Sequence, residues 1–509
     1  MTDSWVNSAQ RIGVDLHLEL SGPGGRRAAL TRALRDAVRG GRLAPGTRLP
    51  PYRSLAADLG VARNTVADAY AELAAEGWLT ARQGSGTRVA QGVGPSRPVR
   101  RESAEPGRDA RATPVTAPPR AHGPRHDLRQ GAPDSSSFPR AAWAASYRRA
   151  LLAAPSEAFG PGDPAGRREL REALAEYLAR ARGVRTDPDR IVICSGFGHA
   201  LRLLFARSGP GGPGTSRRAG AAAGPRASDA GGVLRGPLGV EAYGLGFHRD
   251  LLAAAGVRTV PLPLDDDGAR VEALDRERAV LLTPAHQFPT GGPLHPGRRA
   301  AVIDWARARD AVVVEDDYDG EFRYDRRPVG ALQGLDPERV VHVGSVSKSL
   351  SPALRLGWMV LPSRLVAPVL AAKGEREGWA SVPDQLALAD FLACGSYDRH
   401  VRRMRQTYRR RRDRLVAVLA ARAPHVEVTG IAAGLHAVLR LPPGTEASTV
   451  RAAARQGVAL DGLAGFRHPD AAPGKGVTVG DGLVVGYAAP AEHAYGAALE
   501  ALCGVLSSG

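Results

Sequence analysis

The stretch GSVSKSLSPALRLGW, Gly344–Trp358, contains a lysine in a chain that almost always uses arginine for positive charge. Of 69 lysine and arginine residues, three are lysines: Lys348, Lys373 and Lys475. Arginine stays protonated in proteins, whereas a desolvated lysine can lose its proton and act as a nucleophile. Lys348 follows an apolar run and stands among serines, so we interpret it as chemically required. The other two lysines are expected to be surface charges.

Around this stretch, four short apolar runs each end in a polar cluster. The runs are RIVICSGFGHA, AVLLTPAHQFPTGG, AVVVEDDYDGEF and RVVHVGSVSKSL, and their polar ends are Ser195–Gly198, His286–Gln287, Glu315–Asp319 and Ser345–Lys348. Such runs alternate with helical patterns such as RRELREALAEYLARA, which predicts an α/β fold with a mainly parallel sheet. Because ligands bind beyond the carboxyl ends of the strands in such sheets, we expect the four clusters to form one site.

The residue types in these clusters indicate the chemistry of that site. Lys348 can form a Schiff base with an aldehyde. Ser195, flanked by glycine before a helix, and Arg355, seven residues past the lysine, suit a phosphate. Asp316, at the end of a buried strand, can hold a pyridine nitrogen protonated, and Tyr318 points the same way and can bind a ring hydroxyl. A molecule with an aldehyde, a phosphate, a pyridine nitrogen and a phenolic oxygen is pyridoxal 5′-phosphate (PLP).

For the other polar residues near these clusters, and for one arginine-rich run, we expect structural or solvent-facing roles. Asp317 and Asp319 are expected to be solvated or capping neighbours of Asp316. His199 and His436 are expected to pack or to form hydrogen bonds. The arginine run YRRRRDRL, Tyr408–Leu415, is expected to form one solvated helix face.

The N-terminal segment carries a different pattern. Apolar spacing predicts a helix near Gly25–Gly40, a short helix around 53–59 and a longer helix over 62–77, with a glycine turn at Gly60. Two short helices joined by such a turn are typical of a helix-turn-helix, whose second helix presents polar groups to base edges. The sequence WLTARQGSGTRVA then predicts a hairpin that can touch phosphates or the minor groove. The candidate DNA-binding residues are Arg53, Ser54, Arg63, Asn64, Thr65, Arg82, Ser85 and Thr87.

Composition agrees with these two patterns. The net charge of +17 favours a polyanionic partner, although drift toward arginine, alanine and glycine explains part of the excess. The three cysteines are far apart and form no CxxC pair, which argues against a disulfide framework or a zinc finger, and we assign no metal site. Without a signal pattern or an apolar stretch of about 18 residues, we expect a cytoplasmic protein with no membrane partner.

Low-complexity stretches suggest how the chain is divided. Residues 91–125 are rich in Pro, Gly, Arg and Ser, which predicts a flexible linker. We therefore predict a DNA-binding domain at 14–90 and an effector domain at 126–509. Within the effector domain, the Gly/Ala/Arg-rich residues 208–232 are interpreted as a surface insertion.

These motifs together resemble a known family. GTRLPPYRSLAADLGVARNTVADAYAELAAEGWL looks like the winged helix-turn-helix of the GntR family of bacterial regulators, over roughly residues 25–90. SGFGHALRLL, TPAHQFPTG, VVEDDYDGEFRYD and GSVSKSLSPALRLGW resemble the type I aminotransferase fold, over nearly all of 126–509. The combination resembles the MocR subgroup of PLP-dependent regulators.

The resemblance implies a fold, a function and a set of site residues. The fold is a winged helix-turn-helix plus a large α/β domain with a smaller α+β C-terminal subdomain. The function is a transcriptional regulator, assembled as a head-to-tail homodimer, that senses PLP or a PLP-amine adduct and controls vitamin B6, amino-acid or amine metabolism. The implied cofactor-binding residues are Ser195, Gly196, Phe197, Tyr243, His286, Asp316, Tyr318, Ser345, Ser347, Lys348 as the Schiff-base lysine, and Arg355.

Two departures from the family pattern bear on function. EAYGLG, Glu241–Gly246, stands where the family usually places a ring-stacking tyrosine; Leu245 takes its place, and Tyr243 can substitute only if the loop shifts. Gly480 and Asp481 stand where the family places an arginine that grips a carboxylate, which favours PLP itself as the sensed ligand. The alternatives are an active aminotransferase with an accessory DNA-binding domain, against which both departures argue, and a cofactor-free regulator that uses the large domain as a dimerisation scaffold.

Overall fold

The computed structural model describes residues 20, 25–39, 43–82, 86–90, 124–160, 162–206, 232–324, 329–374, 380–471 and 480–507. They belong to two compact units, one within residues 1–116 and the other within 117–509. Most of the predicted linker and of the predicted insertion lies outside the described residues.

The N-terminal unit is a three-helix domain followed by a hairpin, as the sequence predicts. Apolar side chains of all three helices form its core, among them Leu30, Leu34, Val66 and Tyr70. Gly60 provides the turn between the second and third helices with a φ of 61°, a conformation that glycine adopts without strain. The elements are α1 (Arg26–Arg39), α2 (Tyr52–Asp58), α3 (Arg63–Ala75), β1 (Leu79–Arg82) and β2 (Gly86–Val89).

The C-terminal unit alternates strands and helices. Its strands are β3 (His126–Asp127), β4 (Ile191–Cys194), β5 (Leu238–Glu241), β6 (Thr259–Leu262), β7 (Leu264–Asp265), β8 (Gly268–Ala269), β9 (Ala279–Leu282), β10 (Val312–Asp316), β11 (Val340–Ser345), β12 (Gly357–Val360), β13 (Glu427–Thr429), β14 (His436–Arg440), β15 (Val458–Ala459), β16 (Asp461–Gly462) and β17 (Gly482–Gly486). Its α-helices are α4 (Arg140–Ala153), α5 (Arg168–Arg182), α6 (Phe197–Phe205), α7 (Gly246–Ala254), α8 (Pro296–Ala308), α9 (Ser363–Lys373), α10 (Val382–Ala393), α11 (Ser396–Arg422), α12 (Glu446–Arg455) and α13 (Glu492–Ser507).

Seven strands form the central sheet in the order β4-β12-β11-β10-β9-β5-β6. Only β12 runs antiparallel to its neighbours, so β4, β9, β10 and β11 all end at the same edge of the sheet. The prediction of a mainly parallel sheet is therefore confirmed. Strands β4, β10 and β12 are buried along their whole length, as expected of a sheet that has helices on both faces.

A smaller sheet, β13-β14-β17-β16, packs with α11 and α13 around a second apolar core. This is the predicted C-terminal α+β subdomain. The expectation that the arginine run of α11 forms one solvated face was wrong for Arg411. This residue is 3% exposed and pairs with Asp134 at 3.1 Å and Glu492 at 2.8 Å. It lies on the same helix face as the buried Tyr408 and Leu415, because residues three and four apart share a face.

Among the described helices, none is both long enough and apolar enough to cross a membrane.

Candidate functional site

A cavity of about 490 Å³ opens where β4, β10 and β11 end. It is lined by nine of the eleven residues for which a cofactor contact is predicted. These nine are Ser195, Gly196, Phe197, Asp316, Tyr318, Ser345, Ser347, Lys348 and Arg355.

One end of the cavity is rich in hydrogen-bond donors. Gly196 has a φ of 110° and precedes α6, whose start has no side-chain cap. The N–H groups of Phe197 and Gly198 have no partner among the described residues, and the helix dipole adds positive potential at this end. Arg355 lines the same cavity in a left-handed conformation, φ 51°, which is uncommon for a residue other than glycine and is typical of functional sites.

His199 fixes the loop that leads into α6. Its Nδ1 accepts the Ser195 N–H at 3.1 Å and lies 3.2 Å from Ser195 Oγ. Burial and the charges of Lys373, Arg202 and Arg355 lower the pKa of His199 to about 4. The imidazole is therefore neutral near pH 7 and acts as an acceptor.

Lys373 lies behind this loop and is 5% exposed, so the expectation that it is a surface charge was wrong. Lys475 lies outside the described residues. The sequence gives one signal that sets Lys373 apart: lysine is rare in a chain whose positive charges are almost all arginines.

Lys348 follows β11 and reaches across the cavity to donate a hydrogen bond to the carbonyl of Gly131. Burial lowers the pKa of its amine, and the nearby carboxylates of Asp316 and Asp319 partly oppose that shift. A larger fraction of neutral amine is available than in water, which is what a nucleophilic lysine needs.

Asp316 ends β10, and three carboxylates lie close together there. Burial, together with the charge of Asp317, raises the pKa of Asp316 well above its ordinary value. Asp317 was expected to be a solvated or capping neighbour, but it is buried and not solvated. Burial raises the pKa of Asp317, and Arg182, which pairs with both of its oxygens at 2.7 Å, lowers that pKa below its ordinary value. Asp319 is also buried, so a solvated position is wrong for both residues. A cation placed at Asp316 would favour its ionised form.

His286 lies behind Tyr318 and is not among the residues that line the cavity. Its Nδ1 is 3.0 Å from the Tyr318 hydroxyl and 2.8 Å from Asp319 Oδ2. Gly434, with a φ of 71°, brings the backbone so close that a Cβ there would collide with His286 and Asp319. His286 therefore orients the tyrosine hydroxyl at the cavity wall.

The loop that departs from the family pattern forms another wall. Tyr243 is 5% exposed, packs in an apolar cluster that includes Phe288, and does not line the cavity. Leu245 and His248 do line it, and the His248 ring lies 4.7 Å from the Phe197 ring. Burial and the charge of Lys348 lower the pKa of His248 to about 4. The sequence reading missed His248, although it follows Leu245 by about one helical turn.

The segment in which the family places a carboxylate-binding arginine is acidic here. Asp481 Oδ2 accepts the N–H of Glu446 at 3.0 Å. The Glu446 carboxylate in turn accepts the N–H groups of Gly482 at 3.0 Å and Ala464 at 2.9 Å. The described residues of this segment thus show carboxylates that accept backbone N–H groups.

The N-terminal unit presents part of the predicted DNA-binding set. Arg53, Ser54, Arg63 and Asn64 are exposed, and Thr65 is half-buried. Thr87 is 8% exposed because alternate residues of β2 face the core, so the structure does not present it to a ligand. The Arg82 side chain and Ser85 lie outside the described part of the chain.

Comparison with known proteins identifies both units. Residues 27–89 match the family model "Bacterial regulatory proteins, gntR family". Residues 126–212 and 240–471 match the model "Aminotransferase class I and II". The two matches follow the division of the structure into units.

Curated relatives share both domains. The chain is 34% identical over 440 residues to the probable rhizopine catabolism regulatory protein MocR of Rhizobium meliloti, covering 84% of each chain. It is 33% identical over 414 residues to the pyridoxine biosynthesis transcriptional regulator PdxR of Corynebacterium glutamicum, covering 81% of this chain and 82% of the relative.

Solved structures show the fold of the large unit. Pyrococcus horikoshii kynurenine aminotransferase has a TM-score of 0.63 and 24% identity, covering 75% of this chain and 90% of that one. The aminotransferase class I and II fold is one whose members bind PLP. The chain thus belongs to the GntR family of helix-turn-helix transcriptional regulators, in the MocR subgroup that carries an aminotransferase-like domain.

Proposed function

We propose that this chain is a transcriptional regulator that binds operator DNA through its N-terminal unit and PLP, or PLP joined to an amine, through the 490 Å³ cavity. The observation that carries the proposal is the arrangement of functional groups within that cavity. The exposed Arg355 and N–H groups that have no partner among the described residues line one part of it, and the more buried Lys348 and Asp316 line another.

The donor-rich end fits a phosphate. The free N–H groups of Phe197 and Gly198 suit an anion at a helix start, and Arg355 adds a charged fork. Ser195, Ser345 and Ser347 add hydroxyls to the same cavity.

The remaining walls fit a pyridine ring. Asp316 would pair with the ring nitrogen, which would restore the charge that burial disfavours. Tyr318, oriented by His286, would bind the ring oxygen. Leu245 and His248 would face the ring in place of the family's tyrosine.

Lys348 would provide the amine that reacts with the aldehyde of PLP. When bound, PLP supplies an aldehyde that joins an amine reversibly. Lys348 contributes a primary amine whose pKa burial lowers, and the Gly131 carbonyl orients its nitrogen. Arginine at this position would keep the charge and lose this chemistry, which explains why the position is a lysine.

Sensing is favoured over sustained transamination by Asp481 and Glu446, whose carboxylates accept backbone N–H groups in the described part of the segment where the family places a carboxylate-binding arginine. An assay with amino donors and 2-oxo acids separates the two functions. We expect at most slow turnover, and robust turnover would establish an enzyme.

We further propose a head-to-tail homodimer as the DNA-binding form, because helix-turn-helix dimers bind two half-sites. Light scattering of the full chain, with and without PLP, tests the stoichiometry.

The primary test is the visible absorbance of the full chain with added PLP, followed by borohydride reduction and peptide mapping. We expect a visible band that becomes fixed to Lys348. Lys348→Ala should lose trapping, and Lys348→Arg, which keeps the charge, should lose it as well. Trapping that persists in both variants, or no band in the unaltered chain, would overturn the cofactor assignment.

A second measurement links the cofactor to DNA. Operator affinity, measured by fluorescence anisotropy, should change when PLP is added to the unaltered chain and should not change for Lys348→Ala. An operator affinity that is independent of PLP in the unaltered chain would leave DNA binding intact and remove the sensing role.

A further inference from the structure

His436, the first residue of β14, is a buried histidine in the cavity wall. It is 6% exposed and lines the same cavity as Lys348. Its Nε2 lies 3.0 Å from the carbonyl oxygen of Pro289. A carbonyl only accepts, so Nε2 carries the proton, and Nδ1 of the neutral ring is an acceptor.

That acceptor is available to a ligand. Nδ1 of His436 has no hydrogen-bond partner among the described residues. It is not one of the fully buried polar atoms that lack a partner, so it keeps some accessible surface. His436 lines the cavity and its Nε2 is committed to the Pro289 carbonyl, which leaves Nδ1 as the ring nitrogen that a ligand in the cavity could reach. Burial and the neighbouring His286 lower the pKa of His436 to about 3, so the ring keeps its acceptor at neutral pH.

The charged groups that line the cavity in the described part of the chain have partners or positions away from Nδ1 of His436, although the charge of Lys348 helps to lower the pKa of that ring. The Gly131 carbonyl already accepts a hydrogen bond from the Lys348 amine in this cavity. The other lining cations in the described part of the chain, Arg202 and Arg355, belong to α6 and to the turn before β12, at the donor-rich end. Leu435, which precedes His436, is apolar.

We propose that His436 determines which effector this site accepts: a primary amine that carries a second hydrogen-bond donor, such as a hydroxyl, and no carboxylate. The proposal rests on the proposed PLP function, because the effector's amine occupies the lysine end of the cavity. Nδ1 of His436 receives the second donor. A ligand without that donor would displace water and leave the buried acceptor unpaired, which costs affinity.

The test uses the full chain loaded with PLP and three ligands of similar length: aminobutanol, its isostere pentylamine, and aminopentanoate. Binding is followed by the shift of the visible band and by calorimetry. We expect aminobutanol to bind about tenfold more tightly than pentylamine, and aminopentanoate to bind most weakly. Equal affinities for aminobutanol and pentylamine, or tightest binding of aminopentanoate, would overturn the proposal without any variant.

Two variants locate the preference. His436→Phe keeps an aromatic ring without the acceptor, so it should bind pentylamine within about twofold of the unaltered chain and lose the preference for aminobutanol. His436→Gln, which restores an acceptor, should recover part of it. A preference that is unchanged in His436→Phe would assign the recognition elsewhere.

The same experiment separates the two proposals. If the unaltered chain shows no visible band and no peptide trapped at Lys348, the PLP function fails. If the band and the trapped peptide are present and the ligand preference is absent, only the role of His436 fails.

Discussion

Lys373 Nζ donates hydrogen bonds of 2.6 Å to the carbonyl oxygens of Ile193 and Pro164. Ile193 lies in β4, directly before the loop in which Ser195 and Gly196 line the cavity. Burial lowers the pKa of the Lys373 amine. A compact ammonium fits between two carbonyls where a planar guanidinium would not. Lys373 therefore has a structural role, whereas the proposed role of Lys348 is that of a nucleophile.

Lys373→Met should therefore destabilise the large unit. It leaves two buried carbonyls without a donor, and we expect a loss of about 2–4 kcal/mol. The measurement is the urea unfolding midpoint of the full chain, with the exposed Arg402→Met as a matched control for loss of charge. A Lys373→Met midpoint equal to that of the control would show that the carbonyls find other partners.

The buried ion pair of Arg182 and Asp317 should stabilise the fold next to Asp316. Asp317→Asn weakens the partner of a buried guanidinium, and we expect a cost of about 3–5 kcal/mol in the free energy of unfolding at pH 7. Because the folded-state pKa of Asp317 is lowered, the stabilisation is present above its unfolded pKa of about 3.9 and is lost as pH falls through the folded value.

The pH dependence provides the check on this pair. The difference in unfolding free energy between the unaltered chain and Asp317→Asn should be constant near neutrality and shrink below about pH 4. A difference that is the same at pH 3 and pH 7 would contradict the assigned ionisation.

His248 should contribute to cofactor affinity through its ring. His248→Ala removes an aromatic face and is expected to weaken PLP binding about 3–10-fold, whereas His248→Phe should retain most of it. Absorbance titration with PLP measures the Kd, and the exposed His493→Ala serves as control. If His248→Ala binds PLP as tightly as the control does, Leu245 alone faces the ring.

Arg63 should read the operator. It is exposed and is the first residue of α3, so Arg63→Ala is expected to cost about 1–3 kcal/mol in operator binding and to relax sequence preference. Fluorescence anisotropy with selected and scrambled duplexes measures both effects, and Arg402→Ala controls for the change in net charge. An equal loss on both duplexes would make Arg63 a phosphate contact instead.

Several features of the fold and site follow from local sequence. Apolar spacing predicts α1, α2 and α3 to within one or two residues, because a helix face repeats along the chain. The ends of β4, β10 and β11 are predicted by short apolar runs that stop at polar clusters, and the parallel topology then brings Ser195, Asp316 and Lys348 to one edge. Lys348 is conspicuous because arginine replaces lysine almost everywhere else.

Tertiary structure decided which side chains are buried and which partners they contact. Asp317 and Asp319 are adjacent to Asp316 in sequence, yet their burial depends on Arg182 and His286, which come from distant segments. Arg411, Lys373 and His436 likewise find their partners only when separate elements pack together. Sequence determined the elements and the reactive residue types, because those depend on local periodicity and side-chain chemistry. Burial and hydrogen-bond partners depend on contacts between remote parts of the chain, and so only the packed fold specified them.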